Sequence, residues 1–498
     1  MNNNHSEAAV QPDRWSFLWL GIATILLFFT YGMYRNMVGI LALVFILRFL
    51  RGQKVGRGYL LLLLALVVTN IVAWWNTTYE NNAIGRIILG TVFGLLYSIG
   101  FLPDRLLVRK FHGFASTLVF PVTYTAYEFL FTWPSPMSSF NSFAYNLSSS
   151  EYLTQLASIT GLWGVTFIIC WFASIVNWLW EEKLDWQRIW RGLTIYGGVM
   201  LVVFLYGLVR LTAFLPQPGT VNIHGVIETD YTVDYWQTTI APQIAIDPAT
   251  VKAFAAPDYE SYLDATLREA RAGAQIVTWP ELSVVVYRQD LDTLLDRVSG
   301  IARQEGIYLA IGIGLLDPEL NPINVAENRL MIFDPQGKIV IDQIKYGCTA
   351  AFGMYTAQIQ TVDTPYGRLG GVICCDADFP YVVRQASQKG VDILLVPAYE
   401  PTREELWAHS QMVPFRSFEN GISIFRTTIQ GYSLAIDPYG RTLAAMDDAL
   451  ADQGVFVAQV PMHHVFTVYS LIGDGFGWLP VGGFVVLIVL AILKRRKG

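Results

Sequence analysis

The run Arg368-Leu369-Gly370-Gly371-Val372-Ile373-Cys374 decides the fold of the second half of the chain. It is short and mostly apolar, which predicts a buried strand, and a helix pattern begins after Pro380. A second strand pattern follows over 392–396, then a helix pattern over 403–419 and another strand over 423–428. Strands that alternate with helices in this way indicate a layered α/β domain with its helices packed outside the sheets.

The same alternation extends upstream towards residue 221. Strand patterns cover 221–226, 275–279, 307–313, 329–333 and 339–344, and helix patterns cover 258–272 and 290–304. Two segments, 334–337 and 437–440, have the form Asp-Pro-Xaa-Gly and predict hairpin turns. Residues 216–475 are numerous enough to bury one large core, so we predict a single extramembrane domain there.

The composition excludes a purely soluble protein and a disordered one. Of the 498 residues, 53% are hydrophobic and 15% are charged, whereas soluble domains carry about 25% charged residues. A bilayer core takes about 20 apolar residues per helix, and eight segments fit: 15–33, 36–50, 59–75, 84–101, 113–133, 159–180, 193–214 and 476–493. We therefore predict a membrane domain of seven transmembrane helices over 1–215. A last transmembrane helix with a basic tail is predicted over 476–498.

The charges of the loops predict the orientation of these helices. Lys and Arg follow the second, fourth and sixth segments and form the tail 494–497, whereas the loops 76–83 and 134–158 contain neither. The positive-inside rule then places both termini in the cytoplasm and residues 216–475 on the other side. Glu128 and Arg210 are ionisable residues within the segments. Such residues are either functional or lie near span ends, where their side chains reach the interface.

Several classes of partner have no support in the sequence. The net charge of −6 is small for this length, so a nucleic-acid partner is not indicated. Four cysteines are too few for a disulfide framework, and no His and Cys spacing fits a metal site. We expect no cofactor, no metal and no nucleic acid, and we expect a monomer.

Three chemically capable residues follow predicted strands. Glu281 comes after the strand over 275–279, Lys345 after the strand over 339–344, and Cys374 closes the apolar run. In open α/β folds, sites gather at the carboxyl ends of strands. A carboxylate can take the proton of a thiol, and an ammonium can stabilise the oxyanion that forms when the thiolate attacks an acyl carbon. Taken singly, a glutamate at a strand end is more often a capping carboxylate, a lysine there is more often on the surface, and a cysteine that closes an apolar strand is more often an inert core thiol.

The sequence around these residues resembles the carbon–nitrogen hydrolase (nitrilase) superfamily. The matching pieces occur in order: Trp279-Pro280-Glu281, the turn 334–337 before Lys345, 371–376 with Phe379-Pro380, 416–420 and 435–440. The resemblance implies an αββα sandwich and a Glu–Lys–Cys triad. Carried over, Glu281 is the general base, Lys345 the oxyanion stabiliser and Cys374 the nucleophile.

Together with the apolar segments, the chain resembles the apolipoprotein N-acyltransferase family over nearly its whole length. Glu128 with Trp133-Pro134, and the segments 157–164 and 473–475, are similar to pieces of that family's membrane half. The resemblance implies that an acyl chain passes from a membrane phospholipid, through a cysteine thioester, to the N-terminal amine of a diacylglyceryl-cysteine lipoprotein. The implied location is the bacterial cytoplasmic (inner) membrane. The alternative is a membrane-tethered amidase with water as the acceptor.

The chain departs from the family pattern at two places. Cys375-Asp376 follows the nucleophile where the family usually has Tyr-Glu, and Met354 stands where the family has the carboxylate of a Phe-Gly-Glu motif. Because successive strand residues point to opposite faces, we expect Cys374 and not Cys375 to face the site. Met354 favours the amidase alternative. His409 could pair with the thiol, but the triad explains the thiol without it.

Overall fold

The computed structural model describes residues 14–31, 35–75, 83–133, 135–214, 218–227, 247–317, 319–320, 325–347, 358–400, 403–448 and 454–496. The chain forms two compact units. The first consists of residues 1–135, 141–209 and 474–498, and the second of residues 136–140 and 210–473. Within the described residues, the first unit is helical and every strand belongs to the second.

The first unit is built from apolar helices. They are α1 (Ser16–Leu27), α2 (Ile40–Arg51), α3 (Val55–Ala73), α4 (Ala83–Ile99), α5 (Leu102–Leu107), α6 (Val119–Thr132), α7 (Glu151–Thr154), α8 (Ala157–Thr160), α9 (Leu162–Glu181), α10 (Trp186–Ala213) and, at the C-terminal end, α16 (Gly475–Arg496). Five stretches in the described residues are long and apolar enough to cross a membrane: Val55–Ala73, Ala83–Lys110, Leu162–Glu181, Trp186–Ala213 and Gly475–Lys494. The predicted multi-span helical architecture is confirmed.

Three of the eight predicted segments contain shorter helices than expected. Helices α1, α2 and α6 have 12, 12 and 14 residues. In the fifth segment, 113–118 form a 3₁₀ turn before α6 begins. Pro121 fits this start, because a proline has no N–H to donate within a helix and is well tolerated in the first turn.

Glu128 and Arg210, the two ionisable residues named above, are both buried. Glu128 is buried in the first unit, where its Oε1 accepts hydrogen bonds from Ser142 Oγ at 2.6 Å and Thr166 Oγ1 at 2.8 Å. Arg210 is buried in the second unit, with its guanidinium 5.2 Å from the ring centre of Tyr439. Both side chains are therefore buried polar groups with partners inside the protein.

The second unit contains two mixed sheets. Its strands are β1 (Thr220–Ile227), β2 (Ile276–Thr278), β3 (Val284–Tyr287), β4 (Tyr308–Leu316), β5 (Glu327–Phe333), β6 (Ile339–Ile344), β7 (Thr361–Thr364), β8 (Gly367–Gly371), β9 (Ile393–Tyr399), β10 (Ser423–Ile429), β11 (Tyr432–Ile436), β12 (Thr442–Asp447) and β13 (Gly454–Pro461). One sheet has the order β13-β1-β2-β4-β5-β6, with β3 also paired to β4. The other has the order β12-β11-β10-β9-β8-β7.

The two sheets stack face to face between helices. Along β4, Tyr308 and Ala310 belong to a core that also contains residues of the second sheet, whereas Leu309 and Ile311 pack in a separate cluster with helix residues. This alternation is the period of two that a strand buried on both faces requires. The helices are α11 (Pro248–Arg271), α12 (Leu291–Glu305), α13 (Pro380–Gln388), α14 (Arg403–Asn420) and α15 (Val468–Ile472). The predicted αββα sandwich is confirmed.

Candidate active site

Glu281 and Lys345 form a buried ion pair. Lys345 follows β6, and its Nζ lies 2.6 Å from Oε1 of Glu281. Asn328 of β5 donates a second hydrogen bond to the same oxygen, also at 2.6 Å. The exposed fractions are 2% for Glu281 and 9% for Lys345. Oε2 of Glu281 has no hydrogen-bond partner in the described part of the chain, so this oxygen is free to accept a proton.

The turn that carries Glu281 is fixed by a close approach of two backbones. A Cβ on Gly312 of β4 would lie 2.1 Å from the carbonyl oxygen of Pro280, so only glycine fits there. Ser283 closes the turn, because its N–H and its Oγ both donate to the Gly312 carbonyl, at 3.0 Å and 2.8 Å. The side chain of Glu281 is thus held at the end of β2 by the neighbouring strand.

Cys374 lies on a sharp turn after β8. The strand ends at Gly371, and Cys374 begins the 3₁₀ turn Cys374–Asp378, which we call the cysteine turn. Its φ of +48° is in the left-handed region, a conformation that is costly for a residue other than glycine and that recurs at functional sites. Sγ lies 3.6 Å from the carbonyl oxygen of Tyr399, at the end of β9.

The strand-based reason for choosing Cys374 over Cys375 is wrong. Both cysteines are buried and both lie in the cysteine turn, so the alternation of a strand does not apply to them. The chain leaves the sheet before this point because the backbone conformation of Cys374 is incompatible with a strand. The choice of Cys374 remains a prediction that the resemblance supports.

Asp376 ties the cysteine turn to the segment after Lys345. Its Oδ1 accepts the N–H groups of Tyr346 and Gly347 at 2.9 Å and 2.7 Å, and its Oδ2 accepts the N–H of Ile373 at 3.0 Å. Burial raises the pKa of this carboxyl to about 6, although the hydrogen bonds that it accepts oppose the rise. Asp376, which stands where the family usually has a glutamate, therefore connects the segment after β6 with the segment after β8.

Known proteins match both halves of the chain. Residues 13–175 match the family model for the apolipoprotein N-acyltransferase N-terminal domain, and residues 242–466 match the model for carbon-nitrogen hydrolase. The apolipoprotein N-acyltransferase of Geobacter metallireducens is 24% identical over 415 residues, which cover 77% of this chain and 75% of the relative. That of Bradyrhizobium diazoefficiens is 25% identical over 448 residues, which cover 82% of this chain and 78% of the relative. The chain belongs to the apolipoprotein N-acyltransferase family.

Among solved structures, an amidase from Nesterenkonia sp. is similar to part of this family member. The identity is 22% and the TM-score is 0.38, and the match covers 51% of this chain and 95% of the amidase. Glu281, Lys345 and Cys374 all lie within the range that matches carbon-nitrogen hydrolase. Because residues 242–466 match carbon-nitrogen hydrolase, this apolipoprotein N-acyltransferase family member is an enzyme of the carbon–nitrogen hydrolase superfamily.

The surroundings of the Cys374 thiol favour its protonated form. A hydrogen bond with Cys375, burial, and the negative charges of Glu281 and Glu400 raise its pKa well above the usual value, while the Lys345 ammonium opposes the rise. Because the thiolate is the nucleophilic form, a base has to remove the proton at the moment of attack. The Glu281 carboxylate, whose Oε2 has no hydrogen-bond partner in the described part of the chain, is suited to accept that proton.

The structure gives no support to a Cys–His pair with His409, which the triad already makes unnecessary. The Nδ1 atom of His409 lies 2.9 Å from Oε2 of Glu400, and its Nε2 lies 3.2 Å from Oδ1 of Asp378. Both ring nitrogens are therefore occupied by carboxylates. Sequence reasoning missed Glu400, although it follows β9, the strand next to β8. The rule that sites gather at strand ends could have found it.

Met354, the second departure from the family pattern, lies outside the described residues. Its place relative to Glu281, Lys345 and Cys374 is therefore known only along the sequence.

Proposed function

We propose that this enzyme transfers an acyl chain from a membrane phospholipid to the N-terminal amine of a diacylglyceryl-cysteine lipoprotein. The observation that carries the proposal is the buried Glu281–Lys345 pair, whose second carboxylate oxygen is open, in a chain with a strained cysteine turn. The match of 13–175 to the N-terminal domain of the family supports lipid substrates over soluble ones.

In the first half-reaction, Glu281 takes the thiol proton and Sγ of Cys374 attacks the ester carbonyl of the phospholipid. The Lys345 ammonium stabilises the tetrahedral oxyanion, as preorganised positive charge does in acyl transfer. When the intermediate collapses, the C–O bond breaks and the lysophospholipid leaves with the proton from Glu281. The acyl chain remains on Cys374 as a thioester.

In the second half-reaction, the amine of the lipoprotein attacks the thioester carbonyl. Glu281 accepts a proton from the amine, and the collapse of the oxyanion breaks the C–S bond. An amide forms, and the thiolate of Cys374 recovers the proton from Glu281. The carboxylate thus acts as base and then as acid in each half, which requires that one of its oxygens faces the reacting atoms.

The proposed setting follows from the two lipid substrates. The apolar helices hold the enzyme in the cytoplasmic membrane, where the phospholipid donor and the lipoprotein acceptor are both anchored. We propose that both termini are cytoplasmic and that the catalytic domain lies on the extracytoplasmic side. A monomer satisfies this scheme, because all three proposed catalytic residues come from one chain.

A membrane-tethered amidase with water as the acceptor is the second candidate. Met354 in place of the family's carboxylate favours it. Both candidates pass through an acyl group on Cys374 and differ in what releases it. A transferase excludes water from the thioester until an amine arrives, whereas a hydrolase admits and activates water.

The test is to incubate the purified full-length protein with phospholipid and to measure its intact mass over time. We expect one acyl adduct that persists for minutes or longer and maps to Cys374. A peptide with a diacylglyceryl-cysteine N-terminus and a free amine should discharge it and appear as an N-acyl amide, while the N-acetylated peptide should not. Decay of the adduct to free fatty acid at a rate that the amine does not change would refute the transferase and support the amidase.

A further inference from the structure

A buried charge cluster lies beside the nucleophile. It consists of Asp378, Glu400, His409 and Arg426, which we call the histidine bridge. All four are buried, with 7% of His409 exposed and 1% of each of the others. His409 contacts Glu400 through Nδ1 and Asp378 through Nε2, and Arg426 donates to the other oxygen of Glu400. None of the four belongs to the proposed Glu–Lys–Cys triad.

The histidine bridge joins the two backbone segments that enclose the Cys374 thiol. Asp378 is the last residue of the cysteine turn, which Cys374 begins. Glu400 directly follows Tyr399, whose carbonyl oxygen lies 3.6 Å from Sγ of Cys374. His409 is on α14 and spans from one segment to the other with its two ring nitrogens. A single imidazole therefore fixes the spacing between the turn that carries the thiol and the strand end that it faces.

The charges in the histidine bridge balance. Burial opposes ionisation of Glu400, but the positive charges of His409 and Arg426 lower the pKa of its carboxyl to about 2. Burial disfavours the charged form of His409 too, yet Glu400 and Asp378 raise the pKa of the imidazole well above its usual value. Among the described side chains, these two carboxylates are the charged groups that act on His409, and the ring centre of Phe140 lies 5.0 Å from that of His409. Two anions and two cations leave the histidine bridge itself without net charge.

We propose that His409 is a positioning residue for the nucleophile: as an imidazolium it clamps the cysteine turn to the end of β9 and cancels carboxylate charge beside Sγ. The inference rests on the proposed function only in taking Cys374 as the nucleophile. Loss of the cation leaves an uncompensated carboxylate near the thiol. The negative charge of Glu400 already raises the pKa of Cys374, so loss of its counter-charge raises that pKa further.

The test compares His409→Gln, which is neutral, with His409→Lys, which keeps a positive charge. The readout is the rate at which iodoacetamide labels Cys374, measured by peptide mass spectrometry as a function of pH on the full-length protein. His224→Gln is the matched control. His224 is also buried and paired with a glutamate, at 2.9 Å from Glu269, but it lies on β1. Labelling does not depend on any acyl donor, so this test stands even if the transferase proposal fails.

We expect His409→Gln to shift the labelling profile to higher pH by about one unit, which slows labelling roughly tenfold at a fixed pH below the thiol pKa. His409→Lys should restore most of the rate, and His224→Gln should keep the wild-type profile. In acyl transfer, His409→Gln should lower kcat and leave KM unchanged. An unshifted profile in His409→Gln would overturn the proposal. An equal shift in His224→Gln, or no recovery in His409→Lys, would overturn it as well, since either result indicates a structural effect without a role for the charge.

Discussion

Replacing Glu281 with glutamine separates two roles of this carboxylate. One is to accept the thiol proton, and the other is to supply a negative charge beside Lys345 and Cys374. The glutamine would keep the size of the side chain and an oxygen for Lys345 and Asn328, but it could not take up a proton. Loss of a general base typically slows a reaction about 10²–10⁴-fold. We therefore expect acyl-enzyme formation on Cys374 to slow by that factor.

The resting reactivity of the thiol should change in the opposite direction. The negative charge of Glu281 raises the pKa of Cys374, and the Lys345 ammonium opposes that rise. Glu281→Gln removes the anion and leaves the cation, so the pKa of the thiol falls and its thiolate fraction at a fixed pH increases. Iodoacetamide labelling should then be at least as fast as in the wild type, while acyl transfer is slow.

The substitution also leaves Lys345 buried without a counter-charge. Removing one partner of a buried ion pair costs about 3–5 kcal/mol of stability, so thermal unfolding has to be measured beside activity. The double variant Glu281→Gln with Lys345→Met removes both charges and should recover stability without recovering acyl transfer. Glu269→Gln, at the buried pair with His224, is the matched control and should retain activity.

The assay is the rate of mass gain on Cys374 with phospholipid, compared with the rate of alkylation of the same residue. If acyl transfer and alkylation fall by the same factor in Glu281→Gln, the carboxylate acts by maintaining a resting thiolate, and the general-base assignment is refuted. If acyl transfer is unchanged in a folded protein, Glu281 has no part in the chemistry.

Two further predictions concern the neighbouring cysteine and the orientation. Cys374→Ala should abolish the acyl adduct. Cys375→Ala should keep the adduct and label faster with iodoacetamide, because the hydrogen bond with Cys375 raises the pKa of Cys374. An adduct in Cys374→Ala, detected by intact mass, would assign the nucleophile to another residue. A reporter that is active only outside the cytoplasm should work when fused after Thr220 and fail when fused after Gly498, and the reverse pattern would invert the proposed topology.

The sequence predicted the elements of the sandwich where local signals are strong. The eight predicted strands are present, and the two Asp-Pro-Xaa-Gly segments lie between β5 and β6 and between β11 and β12. Strands β3, β7 and β13 were missed, and β11 and β12 were indicated only by the predicted hairpin turn 437–440 between them. Strand β7 has only four residues, three of them polar, and lies at a sheet edge, so it carries little apolar alternation.

In the first unit, too, the sequence predicted the elements with strong local signals and missed features that depend on packing. Mean hydropathy located all eight segments, because burying or inserting an apolar stretch depends on its own composition. It did not predict the 3₁₀ start of α6 or the interior position of Glu128, whose partners Ser142 and Thr166 are distant in sequence. Hydrogen bonds between such residues exist only after the helices pack.

For the candidate site, the sequence by itself determined the residue types. Glu281, Lys345 and Cys374 could be named because each follows a strand and sits in a motif of contiguous residues. Only the tertiary structure decided how they are held. The left-handed turn at Cys374, the three N–H groups on Asp376 and the bridge from Asp378 through His409 to Glu400 join segments that meet only when the strands pair. Local patterns record how one segment folds, whereas the charge around a thiol depends on every segment that surrounds it.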